Sequence, residues 1–135
     1  MRYINKIIIH CSATPEGRNF TVDEIRDWHV NGNGWSDIGY HYVIYLDGSV
    51  HVGRPLSKVG AHCKGRNRGS IGICYIGGVD ADDVKRAEDT RTPEQKIALR
   101  ALVDGLKGIY PHITVHGHNE FSNKACPSFD VQTEL

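Results

Sequence analysis

The sequence predicts a single α/β domain, a central mixed β-sheet flanked by helices. Three observations carry that prediction. The β-branched run Ile7-Ile8-Ile9 has the character of a buried strand. Two β-rich runs, Tyr40 to Leu46 and Ser49 to Gly53, flank Asp47-Gly48, a strong hairpin signal. Helix-start signals at Thr21 and Thr92 then place helices between the strand runs, the pattern of a layered α/β domain.

Taken in order, Ile7 to Ser12 supplies the first strand, and His10 stands where it runs into the polar loop Cys11 to Gly17. Thr21-Val22-Asp23-Glu24 is a capping box, in which hydroxyl and carboxylate satisfy each other's backbone donors. The helix it opens carries Val22, Ile25 and Trp28 toward the core and ends by Gly32, with His29 a surface or satisfied histidine. A glycine-rich loop, Asn31 to Gly39, leads to the hairpin, so Tyr40 sits at the mouth of a strand beside a loop. His41 and His51 are expected on the sheet face. Gly60 to Gly69 is a basic, glycine-rich turn segment that matches no phosphate-binding loop pattern. Ser70 to Ile76 is a buried strand, and Gly77 to Arg91 has the composition of a long mobile excursion. Thr92-Pro93-Glu94-Gln95 combines an N-cap, proline at the first helical position and a capping-box glutamine. That helix is expected to run to Tyr110 with Ile97, Leu102, Leu106 and Ile109 turned inward, until Pro111 stops it. Ile113 to His116 is a short final strand.

The length of 135 residues suits one domain, residues 1–135, with a real core. Sixteen basic and 16 acidic residues cancel, which argues against general affinity for nucleic acid or an anionic membrane. No apolar run approaches the roughly 20 residues of a membrane span, and Met1 to Lys6 leads into a strand instead of a signal h-region, so synthesis in the cytoplasm is expected. Cys11, Cys63, Cys74 and Cys126 show no paired C-x-x-C spacing, and Cys11, Cys63 and Cys74 are expected as free thiols.

The densest chemistry lies in His116 to Pro127, where imidazoles, a carboxylate, a lysine and a thiol share one loop-like segment. Imidazole together with thiolate suits Zn²⁺ better than Mg²⁺ or Ca²⁺, which prefer all-oxygen shells. A third donor held rigidly is needed, and His10 at the end of a buried strand supplies it. Three protein ligands with a fourth position for water make a catalytic zinc site. Spacing alone leaves His116 and His118 as alternatives.

With these residues placed, the chain resembles the zinc-dependent type 2 N-acetylmuramoyl-L-alanine amidases and, within them, the phage T-seven lysozyme branch. The matching segments are Ile9-His10-Cys11-Ser12-Ala13-Thr14, Gly39-Tyr40-His41, Gly60-Ala61-His62 with Asn67 and Ser70-Ile71-Gly72, and Lys124-Ala125-Cys126-Pro127-Ser128-Phe129-Asp130. They span nearly the whole chain in the family's order. The resemblance implies His10, His118 and Cys126 as zinc ligands, with the zinc site at one edge of the sheet. It implies Tyr40 and Lys124 as catalytic groups, and His62 and Asn67 as lining the groove for the glycan-peptide. Many relatives carry a glutamate, credited with activating water, where this chain has Cys74; the phage lysozyme branch shares that gap.

The implied reaction is hydrolysis of the amide between N-acetylmuramic acid and L-alanine, on cell-wall peptidoglycan after release or on cytoplasmic muropeptides. Non-catalytic peptidoglycan-binding relatives typically replace the cysteine ligand with serine, which Cys126 argues against. The same branch implies a second role, contact with a phage RNA polymerase, on a surface the sequence does not locate.

Overall fold

The structure is a computed structural model that describes residues 2–135. Its sheet has five strands in the order β4-β3-β5-β1-β7: β1 (Lys6–Cys11), β3 (Tyr42–Ile44), β4 (Val50–Val52), β5 (Ser70–Tyr75) and β7 (Thr114–Gly117). β1 lies parallel between β5 and β7, β3 is parallel to β5, and β4 closes the sheet antiparallel to β3. The sheet is therefore mixed, as expected, and β1 is an interior strand. A strand paired on both sides and covered on both faces must be apolar throughout, and Ile7, Ile8 and Ile9 are fully buried.

Side chains alternate across β1. Ile7, Ile9 and Cys11 join Ile71, Ile73 and Tyr75 of β5 in a core covered by α2 (Pro93–Ile109) through Leu99, Val103 and Leu106. Ile8 and His10 face the other way. On that side α1 (Val22–Asp27) packs Val22 and Ile25 against Ile38, Val43 and Ile76, covering the end of the sheet near β3. The rest of that face is left to loops, and there the polar residues His10, His41, His62 and Ser70 are buried.

Both capping boxes form, at Thr21 with Glu24 and at Thr92 with Gln95. The phase of α2 differs in part from expectation. Leu106 is buried and Leu102 packs against the core as expected, and Leu99, Val103 and Gln95 join them, whereas Ile97 and Ile109 are 72% and 69% exposed. Gln95 is buried because its amide nitrogen donates to the carbonyls of Ile44 (3.3 Å) and Ile76 (3.0 Å) where β3 and β5 end. Trp28 also departs from the core. It is 39% exposed and meets Phe20 edge-on at 5.2 Å, where α1 widens into a π turn over Trp28–Gly32.

The stretch from Gly77 to Arg91 is a built segment. β6 (Gly78–Val79) pairs with β2 (Thr14–Pro15), Val79 bridges Ala87, and the Asp80 carboxylate accepts from the backbone N–H groups of Asp82 and Asp83. Its last residue, Arg91, is buried between Asp89 (2.9 Å) and Glu134 (3.0 Å) and lies over the Phe129 ring. Among the described residues, no helix is long and apolar enough to cross a membrane.

Candidate metal centre and active site

The C-terminal ends of β1 and β7 carry the site. His10 is the fifth residue of β1, buried on the face away from α2. His118 opens a single 3₁₀ turn directly after β7, and Cys126 lies in the segment leading to the short helix α3 (Val131–Glu134). One donor atom from each of these three residues lies within 4.8 Å of the others. His10 Nδ1 is 3.8 Å from Cys126 Sγ. Tetrahedral zinc, with Zn–N of about 2.0 Å and Zn–S of about 2.3 Å, separates nitrogen and sulfur by about 3.5 Å. Two imidazoles and one thiol at such spacing fit a zinc ion.

The electrostatics agree with ligation. Burial, followed by the neighbouring His62, His118 and Lys124, holds the His10 imidazole well below its usual range. Burial and Lys124 also lower His118. Both rings are thus neutral, with lone pairs free, at neutral pH. The adjacent Cys11 thiol and burial raise Cys126, so its thiol keeps its proton until a cation is present. The backbone N–H of Cys11 donates to Cys126 Sγ at 3.2 Å, a contact that favours the thiolate once formed.

His116 stands outside this cluster. Its Nδ1 is 2.9 Å from Glu120 Oε1 and its Nε2 is 2.8 Å from Thr114 Oγ1. Glu120 in turn accepts from the backbone N–H of Gly117 at 2.7 Å, pinning the turn that presents His118.

A cavity of about 640 Å³ opens over the cluster, lined by His10, His118, Tyr40, Lys124, His62 and Asn67 together with His29, Trp35 and Phe121. The Tyr40 ring centroid is 5.2 Å from that of His10, and burial first of all raises the phenol, which stays protonated as a hydrogen-bond donor. Lys124 is exposed at the cavity wall. Asn67 Oδ1 accepts from the backbone N–H groups of His62 (2.8 Å) and Cys63 (2.9 Å), shaping the loop, which leaves its amide nitrogen for a ligand. His62 is largely buried, which pushes its imidazole down to about 3.

Sequence reasoning did not single out Trp35, His29 or Phe121 as cavity residues. Trp35 and His29 meet at 4.7 Å between centroids, and His29 Nδ1 accepts from Gly39 N–H at 2.9 Å. The available signal was the glycine-rich loop from Asn31 to Gly39, which places Trp35 beside Tyr40. His41 is a strut more than a sheet-face residue: its Nδ1 accepts from Gly72 N–H at 3.0 Å and its Nε2 lies 2.8 Å from the Lys58 carbonyl. Cys74 pairs with His10 in the β1–β5 register and is fully buried. Burial holds its thiol well above the usual range, so it is no base.

The family described as N-acetylmuramoyl-L-alanine amidase matches residues 1–129. The chain is 43% identical over 128 residues to the endolysin of Enterobacteria phage K11, covering 95% of this chain and 83% of that one. It is 44% identical over 126 residues to the endolysin of Escherichia phage T7, covering 93% and 82%. Among solved structures it is similar to the N-acetylmuramoyl-L-alanine amidase LysC from Clostridium intestinale URNW, with a TM-score of 0.83 at 30% identity over 98% of this chain and 82% of that chain. Fold, cavity and sequence thus converge on one assignment, and the chain belongs to the N-acetylmuramoyl-L-alanine amidase family.

Proposed function

We propose that this protein is a zinc-dependent endolysin-type amidase that hydrolyses the amide joining the lactyl group of N-acetylmuramic acid to L-alanine of the peptidoglycan stem. The observation that carries this reading is the convergence of His10, His118 and Cys126 beside a cavity that His10 and His118 line together with Tyr40 and Lys124. Family membership and the endolysin relatives support the reaction.

His10, His118 and Cys126 would hold the ion. A bound zinc supplies Lewis acidity toward the scissile carbonyl and a water acidified to a pKa of roughly 7. The chain's own groups do the rest. The Tyr40 hydroxyl, kept neutral by burial, and the Lys124 ammonium donate to the oxygen that gains negative charge as the carbonyl is attacked. The departing L-alanine amine needs a proton, and both groups stand at the cavity able to pass one. His62 and Asn67 line the groove in which the glycan-peptide lies.

Release of soluble stem peptide from purified cell walls tests this directly. Activity should vanish with a chelator and return with Zn²⁺. Peptide release that persists in the fully demetallated protein would sink the zinc assignment, and wall binding without any release would sink the enzyme.

A further inference from the structure

Behind the first ligand lies a chain of hydrogen bonds whose direction is set at its far end. The Asn67 main-chain carbonyl can only accept, and the Ser70 hydroxyl donates to it at 3.2 Å alongside the Ser70 backbone N–H at 3.3 Å, the bond that gives the chain its direction. Ser70 Oγ is also 3.1 Å from His62 Nε2, where with its proton spent it can only accept, which puts the His62 proton on Nε2. His62 Nδ1 then presents a lone pair, and it lies 2.8 Å from His10 Nε2. His10 must donate from Nε2, which leaves its Nδ1 unprotonated on the side of Cys126 Sγ.

We infer that Ser70 and His62 are positioning residues for the metal: a one-way relay from the Asn67 carbonyl fixes the His10 tautomer so that its Nδ1 lone pair faces the metal position. The inference rests on the zinc reading above and adds to it a determinant of metal affinity. It gives His62 a role beyond lining the groove.

The packing around His62 supports a fixed ring. A Cβ at Gly72 would lie 2.6 Å from His62 Cγ, and one at Gly60 would lie 2.8 Å from His62 Cδ2. The ring is thus pressed between two backbones that only glycine allows so near. It stands nearly perpendicular to His10, at 88° with centroids 4.8 Å apart, so that its edge faces the neighbouring imidazole. Ser70, the first residue of β5, is itself fully buried. A ligand histidine commonly passes its second N–H to a carboxylate or backbone carbonyl, and losing such a partner typically weakens metal binding 10- to 100-fold. Here a second histidine and a serine carry that link to the backbone.

The test reads protons and metal separately. Two-bond proton–nitrogen NMR spectra of the metal-free protein should show Nε2–H at both His10 and His62. Ser70→Ala removes the acceptor that orients His62. It should give a mixture of tautomers at His10 and a zinc affinity, measured by competition with a chromophoric chelator, roughly 10- to 100-fold weaker than wild type. Nδ1–H at His10 in the wild-type protein would overturn the relay, as would wild-type zinc affinity in folded Ser70→Ala. Should that variant not fold, the wild-type spectrum still decides. Wild-type protein that folds but takes up no zinc overturns the metal reading, while the same spectrum judges the relay independently.

Discussion

At the residue scale, the proposed function divides the site into groups that would bind the ion and groups that would act on the substrate, and substitutions should separate them. Cys126→Ser removes the sulfur that His10 Nδ1 faces and should return a protein without stoichiometric zinc by elemental analysis, and without turnover. Tyr40→Phe and Lys124→Ala touch no ligand atom. Each should keep its zinc and lose turnover by roughly 100- to 1000-fold, the usual cost of one oxyanion donor. A zinc-free Tyr40→Phe protein would contradict that division. The candidate ligands were legible in part: the residue types pointed to His10 and to the His116 to Pro127 segment, while the choice of His118 over His116 came only from the family resemblance. The support behind them was not. That His62 bridges Ser70 and His10 follows from the loop before β5 folding back beside β1, which joins residues 52 positions apart, and no local pattern reports that.

At the scale of elements, α2 shows where periodicity succeeds and where it fails. Its start was readable, because the Thr92 and Gln95 capping box is a local arrangement of four residues. Its buried face was read only in part, Leu102 and Leu106 correctly and Ile97 and Ile109 not, because a glutamine occupies one core position and isoleucines stand on the solvent side. Gln95 is there for the Ile44 and Ile76 carbonyls where β3 and β5 end, a demand made by the sheet and invisible in the helix. Leu99→Ala should therefore cost about 2–5 kcal/mol by denaturant unfolding, while Ile97→Ala should stay within about 0.5 kcal/mol of wild type. The reverse ranking would mean that the helix packs with its other face inward. The hairpin was legible for a comparable reason. Gly48 adopts a φ of 85°, and Asp47 Oδ1 accepts from Ser49 N–H at 2.9 Å, so turn chemistry and turn conformation reside in the same residues.

At the scale of the whole molecule, buried imidazoles share one face of the sheet with the aliphatic cluster under α1, which makes stability depend on pH. His41 is fully buried and burial brings it down to about 4, whereas the unfolded chain titrates near 6.5. Between those values the unfolded chain binds a proton that the folded one refuses. The contribution is fully present above about 6.5 and is lost as the pH falls toward about 4, at up to about 1.4 kcal/mol per pH unit. Guanidinium titrations of the metal-free protein should show the midpoint falling steadily across that window, and a flat midpoint would show that His41 is not held neutral.

The ligand cluster also draws on both extremities of the polymer, since His10 and Cys126 are separated by 116 positions. An ion gripped by both is a clasp on a bracelet. Unfastening it leaves His10 held inside the sheet by backbone pairing on either side, whereas Cys126 lies on a segment outside any strand, which side-chain contacts and not backbone pairing hold to the sheet. Proteolysis after chelation should therefore begin beyond β7, trimming the carboxyl-terminal limb while the sheet stays whole, and added Zn²⁺ should protect that limb before it protects anything else.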